Sequence, residues 1–271
     1  VTMSSSESRY QSADIGRSER PIKVGSLLFT MVEPHRGHEV AYNRWYERDH
    51  FYAGCMIGRW QFAGGRFIAT RDCKERRYPA DSPIVPDSKT GSYLALYWVL
   101  DDHHDEWNEW GVEQVNWLHA NDRMFNERDH IHTALYQWAG EVNAPGSSMP
   151  AELALDRHYP GIGVLIGELA DKISVGAALE WLNNLPCPAD VALVGTPLPL
   201  RGDRPADVPD TQAANRVLIV GFLDRDPLAT WDSKFANLGD AFSEAGLGKI
   251  VFASPFLATV PGTDTYTDQL W

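Results

Sequence analysis

The chain has 271 residues, 44% of them hydrophobic and 23% charged, the profile of a globular protein large enough for one large core or two small ones. A formal net charge of -13 argues against nucleic acid or an anionic membrane surface as partner, because both select a basic surface. No apolar run is long enough to cross a bilayer, and the three scattered cysteines Cys55, Cys73 and Cys187 fit a reducing cytoplasm better than a disulfide framework.

Residues 1–20 are polar and Ser-rich without the apolar stretch of a signal peptide, and read as a loose leader. From there the spacing of apolar residues predicts a strand over Val24–Val32, a helix over His38–Phe51 and a strand over Trp60–Thr70. A third strand follows over Tyr93–Leu100, a helix over Asp102–Asn121 with Asp101 or Asp102 as N-cap, and a fourth strand over His130–Trp138. A turn-rich linker, 143–160, separates this set from a second with the same order. Its strand is Gly163–Leu169, its helix Ser174–Leu185, its next strands Val191–Gly195 and Val217–Leu223, its second helix Leu228–Glu244 behind Asp226-Pro227, and its last strand Ile250–Ala258.

Local sequence repeats along with the element order. Pro79-Ala80-Asp81-Ser82-Pro83 returns as Pro205-Ala206-Asp207-Val208-Pro209, and Leu100-Asp101 before Trp107 returns as Leu223-Asp224 before Trp231. The expected fold class is α+β: two ferredoxin-like βαββαβ repeats, 21–142 and 161–271, each with one uncovered sheet face. Packing those faces together would give an intramolecular barrel of the dimeric α/β type. The loops Arg71–Gly91 and Pro197–Ala214 exceed hairpin length and are lid or interface candidates. Gly64-Gly65 reads as a β-bulge.

All nine histidines lie at or before His158, so the chemistry is expected in the first repeat and the second is expected to be structural. Matching Trp138-Ala139-Gly140 to Val260-Pro261-Gly262 sets His130 against Phe252 and His132 against Ser254. His130 and His132, two apart on a strand, should share a face with Tyr136 and Trp138 and could pass a proton near neutral pH. His50 ends the first predicted helix, beside Trp45, Tyr46 and Tyr52, where the helix dipole favours imidazolium. His103, His104 and His119 are expected on a solvated helix face. Tryptophans crowd the first half, and Trp45, Tyr93, Trp98, Tyr136 and Trp138 are candidates to line a pocket for a flat apolar ligand. Phosphate-binding, dinucleotide and Gly-x-Ser-x-Gly signatures are absent from the sequence.

The tandem unit, with Trp45-Tyr46 ahead of His50 and Gly58 leading into the next strand, resembles the EthD-like members of the dimeric α/β-barrel superfamily. The motif spans roughly Tyr42–Phe67, and Tyr52 stands where the family usually has proline. That superfamily includes cofactor-free polyketide cyclases, small monooxygenases and haem enzymes, so the resemblance implies the fold more than the reaction. The leading expectation is a cofactor-independent enzyme of lyase, dehydratase, cyclase or isomerase type that moves a proton beside a carbonyl in an apolar cyclic or polyketide-like molecule. His130 or His132 would be the base, His50 the acid or orienting group, and Tyr46 or Tyr97 the donor to developing oxyanion charge. No metal site is expected. The alternatives are a divalent-metal or haem oxidoreductase using the same histidines, and a binding protein without turnover. A small aromatic substrate is the expected partner, and pairing of two chains as a homodimer stays open.

Overall fold

The computed structural model describes residues 22–186, 189–210 and 212–271, so the leader over residues 1–20 and Cys187 lie outside the described residues. Eight antiparallel strands close into a barrel: β1 Val24–Pro34, β2 Gln61–Ile68, β3 Tyr93–Leu100, β4 Arg128–Asn143, β5 Gly161–Leu169, β6 Val191–Leu198, β7 Arg216–Leu223 and β8 Gly248–Ala258. The order around the wall is β1-β3-β2-β8-β5-β7-β6-β4. Each strand therefore has one face in the barrel and one against helices. That is why β3 reads as an unbroken apolar run rather than an alternation, and why all its residues but Leu100 are buried.

The barrel interior is filled by side chains. Trp98 of β3 meets Phe222 of β7 across it, with ring centroids 6.3 Å apart, and Phe67 meets Phe222 at 6.5 Å. The linker closes over this core: the Trp98 indole donates to the carbonyl of Ala151 at 3.0 Å.

The outer layer departs from expectation in three places, each for a local reason. Helix α1, Glu39–Trp45, does not stop at His50 but continues as a π-helix over Tyr46–Met56. Tyr42, Tyr46, His50 and Gly54 are buried at four-residue spacing. An ordinary α-helix would rotate such a stripe by about 40° per step, and the wider i→i+5 winding keeps it facing the sheet. Helix α2, Arg71–Lys74, is short, and α3, His104–Ala120, is preceded by His103 at its N-cap rather than by Asp102, which sits in a left-handed turn at φ 63°. In the second half, α4 spans Val175–Asn184. The single helix expected beyond it breaks into α5, Pro227–Lys234, and α6, Leu238–Glu244. Trp231 accepts from both Phe235 N and Ala236 N, which ends α5 while Phe235 stacks on Trp231 at 4.7 Å.

Gly64 and Gly65 are not a bulge; they pair in register with Tyr97 and Leu96, and the irregularity lies between Gln61 and Ala63. Their small size answers a packing demand, because a Cβ on Gly64 would lie 2.8 Å from the Tyr97 ring and 2.9 Å from Met56 Sδ. Both long loops cross to the opposite half. Ser82 donates to the Val251 carbonyl at 2.6 Å and Tyr78 to that of Phe235 at 2.6 Å, while Asp207 approaches Arg128 and His130.

Candidate functional site

A cavity of about 150 Å³ lies outside the barrel, between the outer face of β1, β3 and β4 and the layer formed by the π-helix and α3. Its walls are mostly apolar and include Trp45, Tyr46, Trp107, Trp110, Val112 and Leu135. The loop after β6 roofs it with Leu200, Pro205 and Val208. Trp107 and Trp110 sit three apart on α3 and so face the same way. Gly58 permits this arrangement, because a Cβ there would lie 2.3 Å from the Trp110 ring.

His50, Tyr46, Tyr97, Trp45 and His130 all line the cavity. His50 lies flat on Trp45 with centroids 4.5 Å apart and edge-on to Tyr46 at 5.0 Å. Its Nε2 shares a hydrogen bond of 3.5 Å with Cys55 Sγ, a contact between residues five apart that the π-helical winding brings together. Its Nδ1 is buried without a hydrogen-bond partner. Burial, with the Arg128 guanidinium adding to it, pushes the imidazole down to about 3, so the ring is neutral. The helix-dipole expectation for an imidazolium fails because His50 is neither at a helix end nor exposed.

The Tyr46 and Tyr97 hydroxyls share a hydrogen bond of 2.8 Å, and burial holds both phenols well above their ordinary range. Burial also raises the Cys55 thiol to about 12, which leaves it protonated and unreactive.

The two histidines of β4 part company. A bulge falls between Met31 and Val32 of the β1–β4 ladder, where Met31 pairs with His132 but Val32 with His130. The extra residue, Ile131, turns His130 to the helix side with Thr133 and leaves His132 inside the barrel, edge-on to Phe29 at 5.7 Å. Period-two reasoning assigned them one face, and the bulge overturns it. His132 is pushed down to about 3 by burial, Tyr136 and Trp98 go with it into the interior core, and half-buried Trp138 packs against that core, all away from the cavity. Tyr93 lies on the helix side but packs against Tyr42, with centroids 4.9 Å apart, outside the cavity wall.

His130 is held on both nitrogens. Arg128 Nη2 lies 3.1 Å from its Nε2, and a guanidinium only donates, so Nε2 accepts and Nδ1 donates to Thr133 Oγ1 at 3.2 Å. Burial first, then Arg128, pushes it down to about 4. Asp207 of the roof loop stands 3.5 Å from Arg128, 3.7 Å from His130 and 3.7 Å from His119. The three histidines expected on a solvated face are therefore engaged: His119 with Asp207, His104 with Ser26 Oγ at 2.7 Å, and His103 stacked on Trp60 at 3.8 Å.

With His132 behind the sheet, His50, His130 and His132 do not converge, and among the described residues no group of three His, Cys, Asp or Glu is placed to hold a metal ion. Sequence reasoning overlooked Cys55, Gly54, Arg128, Thr133 and the roof residue Asp207 as parts of the site. The paired Pro-Ala-Asp loops carried a signal for the last, while nothing local marked Thr133. Under the helices of the second half about 10 Å³ remains between Trp181, Leu182 and Phe235.

No protein-family model matches the sequence, and neither does any curated protein. Among solved structures, an anthrone oxidase-like protein superposes over 89% of this chain and 95% of its own at 8% identity, with a TM-score of 0.50. A "putative monooxygenase" of Fusobacterium nucleatum covers 88% and 94% at 9% identity with a TM-score of 0.47. Another from Lactobacillus acidophilus covers 87% and 94% at 9% identity with a TM-score of 0.40. At such identities the likeness to the anthrone oxidase-like protein speaks of fold alone. Together with the closed eight-stranded barrel, it places this chain in the dimeric α/β-barrel architecture. Among the described residues no helix is long and apolar enough to cross a membrane.

Proposed function

We propose that this chain is a cofactor-independent enzyme that removes or relocates a proton beside a carbonyl in a small apolar cyclic molecule. The observation that carries the reading is His50: a neutral imidazole in the wall of an apolar cavity, with one ring nitrogen unpartnered. In this reading the neutral imidazole accepts a proton from carbon, and the enolate charge developing beside it offsets the burial that otherwise makes the ring a weak base. The Tyr46–Tyr97 pair, protonated throughout, fits a donor to the developing oxyanion. His130, whose Nε2 is occupied by Arg128, fits a positioning role for that guanidinium rather than the free base first expected.

Size narrows the substrate. A cavity of about 150 Å³ holds roughly one benzene-sized ring. A tricyclic molecule of the kind named by the anthrone oxidase-like neighbour needs the roof loop to move aside.

We also infer that the chain arose by tandem duplication of an EthD-like unit. Each half has the strand order 4-1-3-2, and a bulge interrupts the β5–β8 ladder between Ile166 and Gly167 just as one interrupts β1–β4. Matching the bulges sets His132 against Phe252 and His130 against Ile250, two residues from the correspondence that the Gly140 and Gly262 match suggests.

The test is solvent exchange. Incubated in D₂O with cyclohexanone, the wild-type protein should speed loss of the α-proton NMR signal over buffer, and His50→Ala should return it to the buffer rate. Exchange at the buffer rate with wild type, while the ring still binds, would make the protein a binder.

A further inference from the structure

The barrel closes along two seams of unequal length. Between β4 and β6 eight residue pairs run from Leu135↔Leu198 to Asn143↔Val191, whereas β2 and β8 hold only Phe67↔Ala258 and Ile68↔Leu257. Beyond Arg66, whose carbonyl still accepts from Thr259 N at 3.1 Å, the chains part, and a groove of about 780 Å³ opens between β2, the end of β8 and the linker. This is several times the volume of the cavity under α3 and falls within the range of ~300–1,000 Å³ usual for small-molecule sites. Its floor is apolar, formed by Phe51, Phe67, Leu155, Phe222 and Leu257. Gly65 keeps the floor low; a Cβ there would lie 2.8 Å from Leu155 Cδ2.

One cation stands in this groove without an acid. Arg66 is half-buried, its guanidinium 4.6 Å from the Tyr46 ring centroid and 5.6 Å from that of Tyr93, and Nη2 donates to Asn43 Oδ1 at 3.1 Å. Among the described residues no carboxylate lies within ion-pair distance of it. The other arginine of the groove, Arg157, is already bound to Asp190 at 3.0 Å. The acids of the groove are engaged as well: Glu47 pairs with Arg48 at 3.4 Å and accepts from Gly262 N at 3.1 Å, and Asp226 caps Leu228 N at 2.8 Å. A guanidinium carries five N–H donors in a fork that matches a carboxylate, and a single neutral oxygen leaves most of them unused.

We propose that the open β2–β8 seam is a second binding site, separate from the cavity under α3, for an apolar small molecule bearing a carboxylate. The apolar body lies in the groove over Phe51 and Leu155, and the carboxylate meets Arg66 at its helix-side rim. Charge and shape select the ligand together: the floor repels a hydrophilic anion, and Arg66 favours an acid over its alcohol.

Calorimetric titration with decanoate, with decan-1-ol as the uncharged control, tests this on the full chain. Decanoate should bind the wild type. Arg66→Gln should weaken it about tenfold, the loss of one charge-assisted contact, with decan-1-ol within about twofold of wild type. Leu155→Trp, which fills the groove without touching Arg66, should weaken both. Saturating cyclohexanone should leave decanoate binding unchanged, because it occupies the other cavity. Absence of decanoate binding, equal affinity in Arg66→Gln, or displacement of decanoate by cyclohexanone would each overturn the proposal. None of these readouts depends on catalysis.

Discussion

Gly54→Ala and Gly111→Ala are the same chemical change on two helical segments that wall one cavity, and the structure gives them different outcomes. In an ordinary helix the change removes conformational freedom from the unfolded chain and stabilises by up to ~1 kcal/mol. Gly111 on α3 has no heavy atom within 4 Å of the Cβ position, so the gain should appear almost in full. At Gly54 the new methyl would lie 2.6 Å from His50 Nδ1 and 3.3 Å from its Cγ. That ring cannot swing away, because it is stacked on Trp45 at 4.5 Å and tied to Cys55. Overpacking of this kind costs about 1–3 kcal/mol, which cancels or exceeds the helical gain. The two variants should therefore differ by about 1–3 kcal/mol, or roughly 2–12 °C in melting temperature for a chain of this size, with Gly111→Ala the more stable. Thermal melts followed by circular dichroism read this directly. The imidazole resonances of His50 should shift in Gly54→Ala alone. Equal stabilisation by both substitutions would refute the placement of His50 against Gly54, and with it the π-helical register.

Two further outcomes follow from the same geometry. His50, His130 and His132 are held near 3, 4 and 3, below the ordinary 6.5, so the unfolded chain takes up protons that the fold refuses. Stability is complete above about pH 6.5 and falls as pH drops toward those values, by about 1.4 kcal/mol per pH unit for each such histidine. His132→Phe should lower the slope between pH 6 and pH 5 by about that amount in urea titrations, and an unchanged slope would refute its burial in neutral form. Asp207→Ala should speed dissociation of a single-ring ligand in stopped-flow measurements, because it unties the loop from Arg128 and His130. An unaltered dissociation rate would show that the loop does not act as a roof.

The strands were legible where burial on both faces wrote a continuous apolar run, and β3 runs from Tyr93 to Leu100 as the pattern predicts. That His50, Tyr46, Tyr97 and Trp45 would lie together beside a cavity was legible, because an aromatic helix carrying a histidine already suggests a pocket. The division of His130 from His132 was not, since a bulge is one residue of backbone geometry and leaves no mark on hydrophobic periodicity. The π-helix escaped for a similar reason: Gly54 and Cys55 are poor helix formers, and only the sheet beneath them sustains the winding. Trp98 and Tyr136 were mistaken for pocket walls because a barrel strand carries large aromatics on both faces, and sequence alone does not say which face is solid.

Asp207, Leu200 and Val208 belong to a loop that contributes nothing to the wall bearing His50 and Tyr97, yet they set how much room lies above it. Changes of length or bulk in that loop alter which molecules enter without disturbing the groups that would act on them. On the function proposed above, recognition and reactivity would reside in different stretches of the chain, and one could drift toward new compounds while the other stayed fixed.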